Sequence, residues 1–233
     1  MHKKAFPMLL ACLCVFFTAC NSSSQTLTET KAPQVTDTAV SLSPADPVGT
    51  VVPVISPESE TGRQNGERFE EVIMLEGMEE TVRYEHVRND TIGFEIDYDY
   101  EQFERRIESD CERFVSIWDV PENPENYLDV TCSAEDAETV AASVSELLSQ
   151  EYDLLKGSRE LDRAGSCIWI EASELKGTGQ MADLLQVVYI IPASEGCRVA
   201  TAHFSVESAE GFGARFRNMM NTFVVITSEA VHH

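Results

Sequence analysis

Positive charge is scarce in this sequence. Only 17 Lys and Arg residues accompany 40 Asp and Glu residues, which gives a formal net charge of −23 over 233 residues. Beyond residue 66 the only lysines are Lys156 and Lys176. Nucleic acids and anionic membrane surfaces are both bound through Lys and Arg, so the composition argues against either as a partner. The acidic excess serves solubility, or it attracts a basic partner or cations.

Recognisable catalytic motifs are also missing. The sequence has no nucleophile elbow, no HExxH motif and no paired acids on separated loops. Beyond the N-terminal segment the histidines are His86, His203, His232 and His233. His203 lies in a strand-like run without the ligand spacings of a Cys/His zinc site, so we expect a hydrogen-bonded strand histidine there. The sequence therefore assigns no catalytic residue, no metal site and no cofactor.

The one long hydrophobic run stands at the N-terminus. His2, Lys3 and Lys4 give a positive start, and "AFPMLLACLCVFFTA" follows as about fifteen mostly apolar residues. That is the length of the apolar part of an export signal, and it is too short to span a bilayer. We therefore predict an export signal at residues 1–19.

This run ends on a cysteine that is followed by polar chain. Phe17-Thr18-Ala19-Cys20 resembles the lipobox of bacterial lipoproteins, although Phe17 stands where Leu or Val is usual. The resemblance implies that residues 1–19 are a lipoprotein signal peptide, that Cys20 is acylated, and that the exported protein is anchored to the outer face of the cell membrane. Two or three acyl chains make a stable anchor. The alternatives are an ordinary cleaved signal and an uncleaved anchor, with the cysteine incidental.

Residues 20–66 are rich in Ser, Thr and Pro and hold few aromatic residues. No helical or strand period lasts beyond four residues, and prolines between positions 33 and 57 interrupt the pattern. Such a segment buries too little apolar surface to offset the entropy lost on ordering. We predict a flexible tether with an end-to-end distance of roughly 35–40 Å.

Residues 67–228 are predicted to form a single globular domain of the α+β class. A strand pair is expected around Glu76-Gly77, and helices are expected to begin at Ser133 and near Ser208. The run "LLQVVYII" is apolar on both sides, which predicts a strand covered on both faces. Trp118 and Trp169 fall inside strand-like runs, so we expect both in the core. The other strand-like runs are "IGFEIDYDYE", "CERFVSIW", "NYLDVTC", "CIWIEASEL" and "CRVATAHFSV".

The order of these elements, strands, helix, strands and a terminal helix, resembles the PsbP-like α/β/α sandwich, a domain named for an extrinsic subunit of photosystem II. The lipobox, the tether and the opening run "GFEIDYDYEQF" look like small exported lipoproteins of Gram-positive bacteria that carry this domain. The resemblance covers about residues 68–226 and implies a largely antiparallel sheet covered by helices. It carries no catalytic motif, and the photosystem role is not transferred.

Alternation in the opening strand places four carboxylates on one face. Glu95, Asp97, Asp99 and Glu101 lie on that face, opposite Phe94, Ile96, Tyr98 and Tyr100. Oxygen ligands suit a hard cation such as calcium, so these four residues form a weak candidate cation site. The run lacks the glycine of a calcium loop, and a straight strand cannot wrap an ion. A solvated strand face is therefore the favoured interpretation.

Four cysteines stay in the predicted exported domain. If the hairpin loop between residues 118 and 127 is centred near Asn123-Pro124, Cys111 and Cys132 come close to facing each other. In the later strands, the end of the run "LLQVVYII" is expected to lie opposite Cys167. Cys197 follows that strand end after one tight turn. Pairings Cys111–Cys132 and Cys167–Cys197 are therefore candidate disulfides. The alternative is four buried thiols.

These observations favour a non-catalytic function. We expect a lipid-anchored extracytoplasmic domain that binds or scaffolds another cell-envelope component, either a protein or the cell wall. One alternative is an envelope hydrolase with an unrecognised site. Another is a small-solute receptor for a transporter, although such receptors usually need two lobes and a longer chain.

Overall fold

Two antiparallel sheets make up most of the described chain. This computed structural model describes residues 62–175 and 182–226. The predicted signal peptide at 1–19, Cys20, the predicted tether as far as residue 61 and residues 176–181 lie outside these residues. The described residues belong to one compact unit, which spans Pro53–His233.

The smaller sheet has four strands. These are β1 (Arg68–Leu75), β2 (Met78–Asn89), β3 (Phe94–Asp99) and β11 (Val224–Val225), in the order β1-β2-β3-β11. The predicted turn between β1 and β2 is confirmed at Glu76 and Gly77, whose φ angles are 52° and 80°. A two-residue hairpin turn with positive φ at both positions matches the twist of the flanking strands. The register pairs Leu75 with Met78 and Arg68 with Glu85.

The larger sheet has seven strands and only antiparallel pairings. In spatial order they are β4 (Phe103–Ile107), β5 (Glu112–Ser116), β6 (Tyr127–Ser133), β10 (Cys197–Ser205), β9 (Leu184–Pro192), β8 (Gly165–Glu174) and β7 (Tyr152–Leu161). Two helices, α1 (Ala137–Leu148) and α2 (Gly211–Asn221), and a short 3₁₀ turn at Val206–Ser208 complete the described elements.

Strand β9 shows how the layers are built. Val188 and Ile190 pack with α1, whereas Val187, Tyr189 and Ile191 belong to a second cluster on the other face. That second cluster also contains Phe216 of α2 together with Phe94 and Ile96 of β3. The predicted strand covered on both faces is therefore confirmed. One face meets α1, and the other meets α2 and the smaller sheet.

The prediction of a largely antiparallel, sheet-rich domain is confirmed, with one difference in the layers. The smaller sheet shares one face of the larger sheet with α2, so this face is not covered by helix alone. Strands β4 and β7 were not predicted. Both are edge strands of the larger sheet, and their exposed faces carry polar residues that hide the strand pattern.

The N-cap of helix α1 lies three residues after the predicted cap, Ser133. This N-cap is Asp136, whose Oδ1 accepts a hydrogen bond of 2.8 Å from the backbone N–H of Thr139. This bond and a second one from the Thr139 hydroxyl lower the pKa of the Asp136 carboxyl. Ser133 remains the last residue of β6 because it pairs with Cys197 on β10. Sheet pairing therefore prevails over a local capping pattern.

Candidate functional site

The face of β3 that was predicted to be solvated is buried. Glu95, Asp97 and Asp99 are exposed by only 0, 1 and 4%. The favoured interpretation of a solvated strand face is therefore wrong for these three residues. Glu101 does lie at the surface, beyond the end of β3, where it forms an ion pair with Arg83.

Asp97 is the centre of a buried ionic cluster. Its Oδ2 accepts a hydrogen bond of 3.0 Å from Arg63 and lies 3.7 Å from a guanidinium nitrogen of Arg163. Its Oδ1 lies 2.6 Å from Nδ1 of His86. The backbone N–H of Asp97 donates to the hydroxyl of Thr222 at 2.9 Å. A buried carboxylate is tolerated when charged partners and hydrogen bonds compensate its lost hydration, as they do here.

The flanking carboxylates are compensated in the same way. Arg88 donates to Glu95 at 2.5 Å, and Nε2 of His86 lies 3.6 Å from the other oxygen of Glu95. Arg215 of α2 donates to Asp99 at 2.7 Å. Burial raises the pKa of the Asp99 carboxyl, and the charge of Arg215 partly offsets this rise. The arginines thus occupy carboxylate oxygens that a cation would need.

This cluster has the chemistry of a structural network. Within residues 62–175 and 182–226, no three His, Cys, Asp or Glu side chains converge as metal ligands would. A His–Asp pair can support acid–base catalysis, but His86 and Asp97 are 0 and 1% exposed, so a substrate does not reach them. We therefore interpret the cluster as the link that holds β2, β3, α2 and the chain before β1 together.

The cysteine positions differ from the predicted hairpin geometry. The β5–β6 register pairs Glu112 with Val130, so its continuation places Cys111 opposite Thr131 and not Cys132. An offset of one residue puts two strand side chains on opposite faces. Accordingly, Cys111 is buried and Cys132 is exposed.

The second predicted pair is separated by a strand. Cys167 lies on β8 and Cys197 on β10, with β9 between them. Strands two positions apart are separated by roughly 9–10 Å, which exceeds the reach of a disulfide. The two residues also belong to different core clusters. All four cysteines are described, and the structure bridges neither predicted pair.

His203 is a hydrogen-bonded strand histidine, as predicted. Its Nδ1 lies 2.9 Å from the backbone carbonyl oxygen of Glu125, and its ring stacks on Tyr127 at a centroid distance of 4.9 Å. Burial lowers the pKa of the His203 imidazole. The contact with Glu125 attaches β10 to the loop that follows β5.

That loop, residues 117–126, is here named the Trp118 loop. The prediction that Trp118 is a core residue is wrong, because its side chain is 73% exposed. Strand β5 ends at Ser116, so the apolar residues Ile117, Trp118 and Val120 project from the loop. The other tryptophan, Trp169, is half-buried on β8 and packs against the core.

The Trp118 loop is held by a hydrogen-bonded frame. The carboxylate of Asp119 accepts bonds of 2.7 and 2.6 Å from the backbone N–H groups of Glu125 and Asn126, and one of 2.9 Å from the Asn126 side chain. The Ser208 hydroxyl donates to Asn126 at 2.7 Å. The two ends of the loop are therefore held together and fixed to the segment before α2, and a rigidly held loop is a frequent carrier of function.

An acidic groove borders this loop. The indole N–H of Trp118 donates to Gln102 at 3.0 Å, and Gln102 lines a groove of about 460 Å³. The remaining lining residues are Glu76, Glu207, Ser208, Glu210, Gly211, Phe212 and Arg215. The three glutamates are exposed, whereas Arg215 is held by Asp99 and Glu80. The groove therefore combines negative charge with an aromatic floor and an exposed indole at its edge.

Sequence reasoning missed both the groove and the arginines of the buried cluster. Groove residues come from the β1–β2 turn, from the segment after β3 and from the start of α2, so no local pattern unites them. A sequence signal for the Trp118 loop is the pair of prolines, Pro121 and Pro124, in "DVPENPEN", because proline restrains the backbone of a loop. Neither of the two helices in the described ranges has the length and the apolar composition that a membrane-spanning helix needs.

Comparisons with known proteins return structural neighbours only. The chain is similar to the solution structure of cyanobacterial PsbP (CyanoP) from Synechocystis, with 11% sequence identity and a TM-score of 0.45 over 61% of this chain and 92% of that chain. It is also similar to a crystal structure from Bacteroides thetaiotaomicron, with 10% identity and a TM-score of 0.36 over 58% of this chain and 46% of that chain. No family model and no curated protein matches the sequence. The first neighbour bears the PsbP name that the sequence resemblance also carries.

Replacing the central carboxylate should destabilise the fold. Asp97→Ala removes the shared partner of Arg63, His86 and Arg163, and we expect the free energy of unfolding to fall by about 3 kcal/mol or more because a buried charge pair is broken. Urea titration of the purified protein measures this change. The matched control is Glu70→Ala, which breaks an exposed pair with Arg83 and should cost less than about 1 kcal/mol. An equal loss of unfolding free energy in both variants would contradict the structural role of the Asp97 cluster.

Thiol labelling should distinguish the four cysteines. Burial raises the pKa of the Cys167 and Cys197 thiols to about 11, so at pH 8 both remain protonated as well as shielded. Because the thiolate is the reacting species, we expect iodoacetamide to modify exposed Cys132 quickly and the three buried cysteines only after unfolding in urea. Mass spectrometry of the exported protein, without reductant, counts the modified sites. Cysteines that stay unmodified in urea until reductant is added would show bridges instead.

Proposed function

We propose that this protein is a lipid-anchored extracytoplasmic domain that binds another protein of the cell envelope and catalyses no reaction. Cys20 provides the anchor, and the Ser/Thr/Pro-rich segment behind it sets the domain at a distance from the membrane. The observation that carries the binding role is the exposed Trp118 on a rigid loop beside the acidic groove. For the fold, we propose a PsbP-like α/β/α sandwich in which the smaller sheet shares one helical layer.

Trp118 has the features of a binding residue. A tryptophan that is 73% exposed leaves a large apolar area in water, and Ile117 and Val120 beside it are exposed by 49 and 63%. Tryptophan is among the residues that contribute most when an interface forms. The hydrogen bonds that Asp119 accepts fix the loop before binding, so little conformational entropy is lost in the complex.

Charge indicates the chemistry of the partner. Glu76, Glu207 and Glu210 at the groove and Glu122 and Glu125 on the loop are exposed acids. They favour a segment that carries Lys or Arg, and the face of Trp118 offers such a side chain a cation–π contact. An anionic cell-wall polymer would be repelled by the same acids. The partner that fits this surface is a protein with an exposed basic segment.

The anchor is tested by replacing its cysteine. We expect Cys20→Ser to move the protein from the membrane fraction to the medium, and to remove the acyl mass from the N-terminal peptide, because residue 20 is the lipid attachment site. Cell fractionation and mass spectrometry measure both effects. Cys14→Ser, within the predicted signal, serves as the control and should leave both unchanged. An unmodified Cys20 in the wild-type protein would overturn the anchor.

The binding surface is tested by crosslinking on intact cells. A photo-crosslinking amino acid at exposed position 120, with Trp118 kept, should capture a protein that the same probe at exposed Leu155 on β7 does not capture. Adding Trp118→Ala to the variant with the probe at position 120 should lower capture at least tenfold, since a central tryptophan is expected to dominate the contact. The double charge reversal Glu207→Lys, Glu210→Lys should also lower it, and so should raised salt.

Three results of this experiment would contradict the proposal. The first is an equal set of adducts from probes at positions 120 and 155. The second is capture that charge reversal and salt leave unchanged, or that charge reversal increases, because the partner would then not be basic. An adduct with cell-wall material instead of protein would likewise contradict the choice of partner.

A further inference from the structure

A second cavity lies between α2 and the larger sheet, apart from the acidic groove. Its volume is about 140 Å³. The polar or charged residues that line it are Arg159, Trp169, Glu171, Tyr189 and Arg217. The remainder of its wall is apolar and includes Val187, Phe204 and Phe216. Nothing in the proposed partner binding at the Trp118 loop uses this cavity.

The cavity wall contains a buried hydrogen-bond donor that lacks an acceptor. Nε1 of Trp169 is buried and donates to no group of the described protein, and it is the one buried side-chain N or O atom of the described residues in that state. Native structures rarely leave such a donor without an acceptor, because its desolvation is then not offset. The indole of Trp169 therefore stands at the cavity with its N–H unsatisfied by any group of the described protein.

Positive charge gathers at the same place. The guanidinium carbon of Arg159 lies 4.7 Å from the centre of the Trp169 ring, and Nη1 of Arg159 donates to the Tyr189 hydroxyl at 3.3 Å. Arg217 lines the same cavity as Arg159. Burial raises the pKa of Tyr189, and the positive charges of Arg159 and Arg217 oppose this rise. Glu171 is the one acid in the wall. Two cations against one anion are unusual in a chain with a net charge of −23.

We propose that this cavity binds a small organic carboxylate with an aromatic or compact apolar body. The carboxylate accepts hydrogen bonds from Arg217 and lies near the positive charge of Arg159, and the apolar body packs on Val187, Phe204 and Phe216 beside the Trp169 ring. Charge-assisted hydrogen bonds to a carboxylate are the strong contacts that arginine forms. The volume suits a ligand the size of a benzene ring, since an apolar protein cavity of about 150 Å³ accepts benzene. This proposal does not depend on the partner at the Trp118 loop.

The two tryptophans of the chain provide the assay. The full-length protein in detergent micelles, with ¹⁵N-labelled tryptophan, gives two indole N–H signals, which Trp169→Phe assigns. Sodium benzoate is the probe, and benzamide and benzylammonium are its neutral and cationic counterparts. We expect benzoate to shift the Trp169 signal saturably and to leave the Trp118 signal in place. Benzamide and benzylammonium should bind at least fivefold more weakly.

Two variants that each remove one positive charge test which charge binds the carboxylate. Arg217→Gln should weaken benzoate binding at least fivefold, because it removes an exposed guanidinium at the cavity without a core change. Lys156→Gln removes the same charge from an exposed position on β7 outside the cavity, so its affinity should equal that of the wild type. Thermal unfolding of each variant confirms that the fold is retained, and Arg217→Gln keeps the test valid if Trp169→Phe does not fold.

Four outcomes would overturn the proposal. They are the absence of a saturable shift at 20 mM benzoate, equal affinity for benzamide or benzylammonium, equal movement of both indole signals, and equal weakening by Arg217→Gln and Lys156→Gln. The third would indicate non-specific association. The fourth would show that only the net charge of the protein matters.

Discussion

Asp97 places a negative charge inside the smaller sheet, and several parts of the fold are arranged around it. Its partners come from three different segments: Arg63 before β1, His86 on β2 and Arg163 between β7 and β8. A buried carboxylate is costly without partners, so the native state requires these segments to meet at one point. Apolar packing tolerates many arrangements of similar volume, whereas a charge accepts few. The cluster therefore fixes how the chain before β1 and the β7–β8 turn meet the smaller sheet.

The same constraint continues into α2. Arg215 forms ion pairs with Asp99 of β3 and Glu80 of β2. The next residue of α2, Phe216, packs in the core between the sheets. Helix α2 thus forms ion pairs with carboxylates of the smaller sheet through Arg215. It also packs against the apolar core through Phe216. Since α2 also lines the acidic groove and the second cavity, the ionic cluster indirectly sets the shape of both.

Local patterns in the sequence were sufficient for the elements whose alternation or turns are unambiguous. The Glu76-Gly77 turn, the doubly buried strand β9 and both helices were predicted because each depends on a short run of residues. The solvated face assigned to Glu95, Asp97 and Asp99 was wrong, since a charged residue gives the same strand pattern whether water or an arginine lies opposite. The arginines that cover it are distant in sequence, for example Arg215, which lies 116 residues after Asp99.

The candidate sites were hidden for a related reason. Trp118 and Trp169 occupy similar strand-like runs, but β5 ends before Trp118 and β8 continues through Trp169. Where a strand ends is decided by its pairing partners, and β6 pairs with β5 only as far as Val115. The sequence pattern does not indicate the residue at which this strand pairing ends. The loop position of Trp118, and with it the proposed binding surface, follows from strand pairing.

Helix α2 separates the two proposed sites, which differ in charge. Groove residues Gly211, Phe212 and Arg215 and cavity residues Gly213, Phe216 and Arg217 point about 150° apart on the helix, at 100° per residue. At physiological salt, charges farther apart than about 8 Å are largely screened in water. The exposed glutamates of the groove therefore act mainly on what lies in the groove. The guanidinium groups of Arg159 and Arg217 govern the cavity at contact distance, so a strongly acidic protein can still bind an anion there.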